Sequence, residues 1–226
     1  YNELSEYIEL NKLKNLKLIK AGYPKFDYLY FKFNKYEKEF IKNKITIAPS
    51  WGAKNIINEN IIKILQILLD ENYKINLRPH SQSFKYNKEI LKKIEDKFKD
   101  NSNFKLEKGN FEFKNVFDSE FLITDWSGIA IEYAFITKRP IMYINTPKKI
   151  NNKLFNDISF DPIEVKIREK IGLIIEEDNI ININTYLKKL KNNEYFKDEV
   201  NNLKKDYLYN FQKSSDFIYN EIIKNY

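Results

Sequence analysis

Short apolar segments rich in β-branched residues alternate with longer amphipathic segments between residues 45 and 146. Strands are predicted at 45–51, 73–80, 103–110, 120–125 and 139–146, and helices at 57–72, 87–101 and 127–138. Strands that alternate with helices in this way are typical of a parallel sheet with helices on both faces. The sequence therefore predicts an α/β fold built on a parallel sheet.

The flanking segments carry weaker signals. An irregular loop follows residue 146, and residues 35–43 are either helical or a link. Helices are predicted at 4–20, near 163–170, at 182–208 and at 214–226. We therefore expect an N-terminal helical or linker segment at 1–44, followed by one domain with C-terminal helices at 45–226.

Polar residues follow three of the predicted strands. Right-handed crossovers place the carboxyl ends of parallel strands at one edge of a sheet, where ligands of such folds bind. The residues that fall there are Ser50-Trp51-Gly52, Arg78-Pro79-His80-Ser81 and Asp125-Trp126-Ser127-Gly128. Their common position predicts a binding site at this edge.

The stretch from Asp125 to Glu132 leads from a predicted strand into a predicted helix. Free N–H groups and the positive dipole end at the start of this helix suit a phosphate, and Gly128 lets a ligand approach closely. Alternatively, Asp125 or Ser127 simply caps the helix, which would stabilise it by ~1 kcal/mol. Glu132 needs a partner if it is buried, either a sugar hydroxyl or one of two arginines, Arg78 and Arg139.

The other two loops offer cationic and aromatic side chains. Arg78 can bind a phosphate through two hydrogen bonds, and His80 can hydrogen-bond a phosphate or transfer a proton near neutral pH. Alternatively, the histidine is structural. Trp51 and Lys54 are either a wall of the site with a further phosphate contact, or a packing tryptophan and a surface lysine.

Composition excludes several kinds of site. The chain has no cysteine and one histidine, which excludes disulfides, thiolate chemistry and a multi-histidine metal site. The candidate site residues require no metal ion, so we predict no metal and no cofactor. No apolar run approaches the ~18 residues of a membrane span. The first residue is Tyr1 and the only methionine is Met142, so we expect a piece of a longer protein.

The net charge of +7 comes from 39 basic and 32 acidic residues. It fits either a lysine-rich surface or attraction to an anionic partner. Because the lysines are dispersed rather than gathered in one stripe, we predict no nucleic acid partner.

Four motifs, in order, resemble a known family. They are AGYPKFD, IAPSW, LRPH and FLITDWSGIAIEYAFITKRPIMYI, and they fall between residues 21 and 146. Together they resemble the C-terminal half of the CDP-glycerol glycerophosphotransferase family, which includes teichoic-acid and capsule polymerases. The resemblance implies a GT-B architecture of two Rossmann-like domains facing across a cleft. This chain would be the C-terminal, donor-binding domain, and a preceding acceptor domain would supply the histidine proposed as catalytic base.

The resemblance also implies residue roles. Arg78 and His80 would contact the donor phosphates, with His80 taking part in catalysis, and Glu132 would contact ribose or glycerol. The other implied site residues are Ser50, Trp51, Lys54, Asp125, Trp126, Ser127 and Gly128. The sequence departs from the family pattern in three places, with Gly128 for a second serine, Ser81 for a proline and Gly52 for an arginine.

The expected reaction is attack of an acceptor hydroxyl on the β-phosphate of a CDP-activated polyol, with release of CMP. The acceptor would be a polymer or lipid-linked chain of the cell surface, and this chain alone would be inactive. A cytoplasmic location with peripheral contact at the inner face of a bacterial membrane is expected from the family and the charge. The alternatives are a nucleotide-sugar glycosyltransferase of capsule or lipopolysaccharide synthesis, and a non-enzymatic module that binds anionic ligands.

Overall fold

Six parallel strands form one sheet in the computed structural model, which describes residues 1–36, 40–109, 112–148, 155–191 and 195–224. The strands are β1 (Ile41–Ile47), β2 (Lys74–Leu77), β3 (Phe104–Leu106), β4 (Ser119–Thr124), β5 (Ile141–Asn145) and β6 (Gly172–Glu176). Their spatial order is β3-β2-β1-β4-β5-β6, and all neighbouring pairs are parallel. The direction of winding therefore reverses between β1 and β4, where doubly wound sheets leave a crevice at their carboxyl edge.

Helices cover both faces of the sheet. In chain order they are α1 (Asn2–Leu10), α2 (Pro24–Tyr36), α3 (Glu59–Asp70), α4 (Ser83–Tyr86), α5 (Lys88–Phe98), α6 (Lys114–Phe117), α7 (Ile129–Thr137), α8 (Ile163–Lys166), α9 (Arg168–Ile171), α10 (Ile183–Lys191), α11 (Tyr195–Tyr207) and α12 (Ser214–Lys224). Two short 3-10 turns lie at Phe155–Asp157 and Glu177–Asn182. No helix in the described ranges is long and apolar enough to cross a membrane.

Two apolar clusters lie on opposite faces of the sheet. Because side chains alternate along a strand, Phe121 and Ile123 of β4 enter one cluster and Leu122 enters the other. The first cluster is completed by α3, α5 and α10, and the second by α2, α7 and α11. The sheet is thus buried on both faces, as parallel sheets usually are.

Helix α2 joins the domain through aromatic contacts. It begins at Pro24, whose fixed φ angle suits the first helical position. The Phe26 ring lies 5.9 Å from that of Phe135, and the Phe33 ring 6.0 Å from that of Phe117. The division of the chain at residue 44 stays a prediction, but part of its first segment is buried in the second cluster.

The α/β prediction is confirmed, and the strands and helices predicted between 45 and 146 occur with shifted ends. The helix predicted at 4–20 is wrong beyond Leu10, since Lys12 and Asn15 have positive φ angles and Leu13 and Leu16 remain exposed. Strand β1 begins at Ile41, inside the segment predicted as helical or linking. Parts of the predictions at 35–43, 103–110, 182–208 and 214–226, and of the loop after 146, lie outside the described residues.

Strand β6 was not predicted. It follows α9 without a loop and contains only five residues. The sequence pattern therefore did not distinguish its apolar run from the irregular loop predicted after residue 146. At its first residue, a Cβ on Gly172 would lie 2.2 Å from the Ile141 carbonyl oxygen. Glycine is therefore required for the close pairing of β5 and β6.

Candidate functional site

A cleft of about 360 Å³ opens at the carboxyl edge of the sheet. It lies where the loops after β1, β2 and β4 meet. Its lining consists of Lys25, Ala48, Pro49, Arg78, Pro79, His80, Ser81, Phe113, Ser127, Gly128, Ile129 and Glu132. The structure therefore brings together five of the predicted site residues, which are Arg78, His80, Ser127, Gly128 and Glu132.

The start of α7 borders the cleft. The first bonds of this helix run from the N–H groups of Ala130 and Ile131 to the carbonyls of Ser127 and Gly128, at 3.1 and 3.2 Å. The N–H groups of Gly128 and Ile129 precede these bonds, at the positive end of the helix dipole. No side chain among the described residues caps α7, so the alternative in which Asp125 or Ser127 is its cap is wrong.

Gly128 leaves open space in the cleft. Its φ and ψ angles of −60° and −17° are helical and suit any residue. A Cβ at this position would meet no described heavy atom within 4 Å. Neither backbone conformation nor packing therefore requires glycine here.

Arg78 lies at the carboxyl end of β2, where its N–H donates to the Ile47 carbonyl at 2.8 Å. Its guanidinium carbon lies 5.6 Å from the centre of the Phe113 ring. Burial lowers the pKa of Arg78, and the carboxylates of Glu107 and Glu132 act in the opposite direction. A partly desolvated cation of this kind attracts an anion more strongly than a fully hydrated one.

Glu132 forms an ion pair with Lys25, which projects from the first turn of α2. The alternative pairing with Arg139 is not observed, since Arg139 instead donates to the Ser119 carbonyl at 2.9 Å. The carboxylate of Glu132 does act on Arg78, since burial lowers the pKa of Arg78 and this carboxylate opposes that effect. Lys25 also lies 5.5 Å from the centre of the Phe113 ring. Contact of Glu132 with a ribose or polyol stays a prediction.

Sequence reasoning missed Lys25 and Phe113. The motif AGYPKFD resembles a Gly-x-Pro-Arg-x-Asp segment of the family. Lys25 replaces its arginine, which is a fourth departure from the family pattern, and this was the available signal. Nothing in the sequence distinguishes Phe113 from the other phenylalanines. In the same motif, Asp27 accepts hydrogen bonds from the N–H groups of Gln212 and Ser214 and so holds the start of α12.

His80 and Trp51 stand at the rim. Their rings are stacked, with centroids 5.9 Å apart and an interplanar angle of 29°. His80 Nδ1 accepts a hydrogen bond from the Gln82 N–H at 3.2 Å, which leaves Nε2 as the donor nitrogen of the neutral ring. Trp51 is 47% exposed and so is not a packing residue of the core. Lys54 is exposed and lies outside the cleft lining.

Asp125 holds two loops together beneath the cleft. It is fully buried, and its carboxylate accepts hydrogen bonds from the N–H groups of Ser50, Trp126 and Ile56 at 2.7, 2.6 and 3.2 Å. It thereby ties the loop after β1 to the loop after β4. Direct contact with a donor phosphate has no support from this geometry, because both carboxylate oxygens are engaged and a carboxylate repels a phosphate. Ser50 is likewise buried and outside the lining.

Trp126 faces away from the cleft. Its indole N–H donates to the Thr146 carbonyl at 2.8 Å, and the guanidinium carbon of Arg168 lies 3.7 Å from its ring centre.

In the parts of the chain that the structure describes, no cluster of three histidine or carboxylate side chains is placed to hold a metal ion.

Several solved structures share this fold. The wall teichoic acid polymerase TagF, soaked with CDPG, matches with a TM-score of 0.55 and 21% identity over 91% of this chain and 50% of its own. The UDP-GlcNAc 2-epimerase of Methanocaldococcus jannaschii, in complex with UDP-GlcNAc and UDP, matches with a TM-score of 0.54 and 17% identity over 84% and 52%. A glycosyltransferase from Rickettsia africae ESF-5 matches with a TM-score of 0.50 and 14% identity over 94% and 54%. The chain thus spans about half the length of these structures, and the prediction of a Rossmann-like domain of GT-B type is confirmed.

No curated protein sequence matches the chain significantly. The model of one protein family, described as CDP-glycerol:poly(glycerophosphate) glycerophosphotransferase, matches residues 8–222. This match extends well beyond the motifs at 21–146 and includes the C-terminal helices. The chain therefore belongs to the CDP-glycerol:poly(glycerophosphate) glycerophosphotransferase family.

Proposed function

We propose that this chain is the donor-binding half of a transferase that moves a polyol phosphate from a CDP-activated donor to a hydroxyl of a cell-surface polymer. The observation that carries the proposal is the convergence of Arg78, Lys25 and the start of α7 on one cleft. This cleft lies where the strand order reverses, the usual ligand position in such sheets. Membership of the family supports the choice of a polyol phosphate as the transferred group.

The donor diphosphate would lie against the start of α7. The N–H groups of Gly128 and Ile129 and the guanidinium of Arg78 would donate to its oxygens, and His80 would donate through Nε2 from the rim. Phe113 lines the same cleft and holds the Arg78 guanidinium and the Lys25 ammonium over its ring. Glu132 would accept hydrogen bonds from donor hydroxyls once Lys25 turns to the phosphates.

In the reaction, the oxygen of an acceptor hydroxyl forms a bond to the β-phosphorus of the donor. The bond between this phosphorus and the bridging oxygen breaks, and CMP leaves with the electron pair. The hydroxyl proton passes to a base that we expect in the other half of the enzyme. Arg78, His80 and the start of α7 stabilise the charge that develops on the leaving CMP, since preorganised donors are most effective where charge accumulates.

Calorimetric titration of the chain with CDP, CMP and UDP tests the proposal. We expect CDP to bind, UDP to bind more weakly and CDP-glycerol to release CMP no faster than without protein. Arg78→Lys keeps the charge but loses the planar pair of donors, so CDP affinity should fall about tenfold. Lys54→Met is the matched control, because Lys54 lies outside the lining, and it should bind CDP as the unaltered chain does.

Binding of UDP without CDP would contradict the CDP donor and favour the nucleotide-sugar alternative. Failure of all three nucleotides to bind would contradict nucleotide binding at the cleft and favour the non-enzymatic alternative. A loss of CDP affinity in Lys54→Met without a loss in Arg78→Lys would show that the contacts are nonspecific attractions to a basic surface, because only the first variant removes a positive charge.

A further inference from the structure

A second cavity, of about 640 Å³, lies beside the first. Adjacent residues of one loop separate the two, since Ser127 lines the first cavity and Trp126 lines the second. Thr146, Lys148, Arg168 and the carboxyl end of β6 complete the second cavity. None of the predicted site residues other than Trp126 belongs to this lining.

The flat faces of the Arg168 guanidinium contact two aromatic rings, whereas two nitrogens along its edge have no hydrogen-bond partner among the described residues. Its guanidinium carbon lies 3.7 Å from the ring centre of Trp126 and 4.7 Å from that of Tyr143. The side chain is 5% exposed, and burial lowers the pKa of Arg168. Its Nε and Nη2 atoms have no hydrogen-bond partner among the described residues. These two nitrogens form the edge through which arginine binds a carboxylate or phosphate with two parallel hydrogen bonds.

Thr146 adds a second unsatisfied polar group to the same lining. It is 3% exposed, and within the described parts of the chain its Oγ1 has no hydrogen-bond partner. Buried polar groups are nearly always paired in native proteins, so each such group in a cavity wall indicates a missing partner. The group that would pair with Arg168 must be an acceptor, and an oxyanion matches the geometry of its edge.

One wall of the cavity is acidic. Glu176 at the end of β6 accepts a hydrogen bond from Asn145 at 2.8 Å, and Glu177 and Asp178 follow it in the lining. Three carboxylates would oppose a bare anion, but carboxylates are good acceptors for hydroxyl groups. A ligand that fits both walls therefore has an oxyanion at one end and hydroxyl groups at the other.

We propose that this cavity is a second ligand site, which takes a hydroxylated phosphate such as a polyol phosphate. Its phosphate would bind Arg168 and Thr146 once these side chains rotate and turn their buried, unpaired polar atoms toward the cavity, and its hydroxyl groups would face Glu176. The inference does not require the nucleotide site, because the residues of the second cavity are distinct from those of the first.

The two tryptophans of the chain allow each cavity to be observed separately. Trp51 stacks on His80 at the first cavity, whereas Trp126 contacts Arg168 at the second. In nitrogen-15 NMR spectra of the chain, glycerol 3-phosphate should shift the Trp126 indole signal saturably. Inorganic phosphate should do so with lower affinity, because it meets the acidic wall without hydroxyl groups.

Arg168→Lys should weaken the binding of glycerol 3-phosphate about tenfold, since the charge remains but the paired donors are lost. Thr146→Val, which has nearly the same shape, should weaken it less and serves if the first variant does not fold. Arg78→Lys is the matched control in the first cavity and should leave the Trp126 titration unchanged.

A Trp126 signal that neither ligand shifts would overturn the proposal. So would wild-type affinity in both second-cavity variants, or loss of the Trp126 shift in Arg78→Lys, which would place the ligand in the first cavity. If inorganic phosphate binds as tightly as glycerol 3-phosphate, the role given to the acidic wall is wrong. Failure of CDP to move Trp51 would count against the nucleotide site alone.

Discussion

Gly128 is the residue at which the sequence departs most directly from the pattern of the resembled family. Its helical backbone angles and the open space around it show that glycine serves neither the fold nor the packing. Gly172 is the opposite case, since the backbone of β5 excludes any side chain there. The identity of residue 128 therefore concerns whatever occupies the cleft.

Replacing Gly128 with serine should leave the fold intact and alter ligand binding. The free energy of unfolding should change by no more than a few tenths of a kcal/mol, because serine and glycine are both favoured at the start of a helix. An added hydroxyl hydrogen bond to a phosphate should strengthen CDP binding by about 1 kcal/mol. Urea denaturation and calorimetric titration measure the two effects.

Gly172→Ser is the matched control for this change. Its Cβ would lie 2.2 Å from the Ile141 carbonyl oxygen, so it should lower stability strongly. A Gly128→Ser variant as unstable as this control would contradict the open space seen at residue 128. Unchanged CDP affinity in a stable variant would show that residue 128 does not face the donor.

The sequence predicted which loops form the cleft but not which side of each loop a residue faces. Arg78, His80 and Ser127 could be placed because they follow strands that were recognisable as apolar runs. Asp125 and Trp126 follow the same strand, yet one is buried beneath the cleft and the other faces the second cavity. This difference depends on loop conformation, which is set by hydrogen bonds between segments distant in the sequence.

Elements were predictable where their pattern was strong. Helix α3 has apolar residues at helical spacing and a capping Asn58. Helix α7 was predicted with an end before Pro140, although it is buried on nearly all sides. Strand β6 was not predicted because five residues directly after a helix are too few to show a strand pattern. The extent of α1 was overestimated because amphipathic spacing alone does not provide a surface on which a helix can pack.

Helix α11 contains a lysine whose charge destabilises the fold. Burial, with a smaller effect from Lys138, lowers the pKa of Lys204 from its ordinary 10.5 to about 8. Its ammonium lies 4.6 Å from the Phe211 ring and 5.1 Å from the Tyr30 ring, contacts that offset only part of the lost hydration.

Lys204→Met should therefore stabilise the protein most at and below neutral pH. Between about pH 8 and pH 10.5 the unfolded chain retains a proton that the folded chain has lost, so the stability of the wild type rises with pH in this window. The advantage of the variant should shrink accordingly. Urea denaturation at about pH 7 and about pH 10 measures it. Lys205→Met, at the exposed neighbouring position, should show no such change, and a constant advantage for Lys204→Met would contradict the lowered pKa.

At the scale of the whole molecule, the site follows from the topology. The loops after β1, β2 and β4 meet because the winding reverses between β1 and β4, and this could be anticipated from the alternation of strands and helices. The contribution of α2 could not, since Lys25 reaches the cleft only because Phe26, Leu29 and Phe33 bury this helix in the second cluster. The packing of an initial segment against a later helix leaves no periodic signal.

Removal of residues 1–36 should therefore abolish cooperative folding. Burial of Phe26, Leu29 and Phe33 is worth about 1.5–3 kcal/mol each, or about 4.5–9 kcal/mol together, which is comparable with the roughly 5–15 kcal/mol that stabilises a typical domain. Removal of residues 1–19 is the matched control, because α1 has no buried residue. Thermal unfolding followed by circular dichroism should show a sharp transition only for the shorter deletion. A cooperative transition in both would mean that α2 is dispensable.

The hydrogen bonds of Asp125 also bear on how the protein moves. One buried carboxylate joins the loops on either side of the winding reversal, so the floor of the cleft should behave as a rigid body on fast timescales. The side chains of the cleft walls would then adjust to an incoming ligand, because the Lys25–Glu132 ion pair can separate by rotation of two side chains. The fold thus combines a rigid floor with walls whose side chains can rearrange, and the rate of ligand capture would depend on the walls.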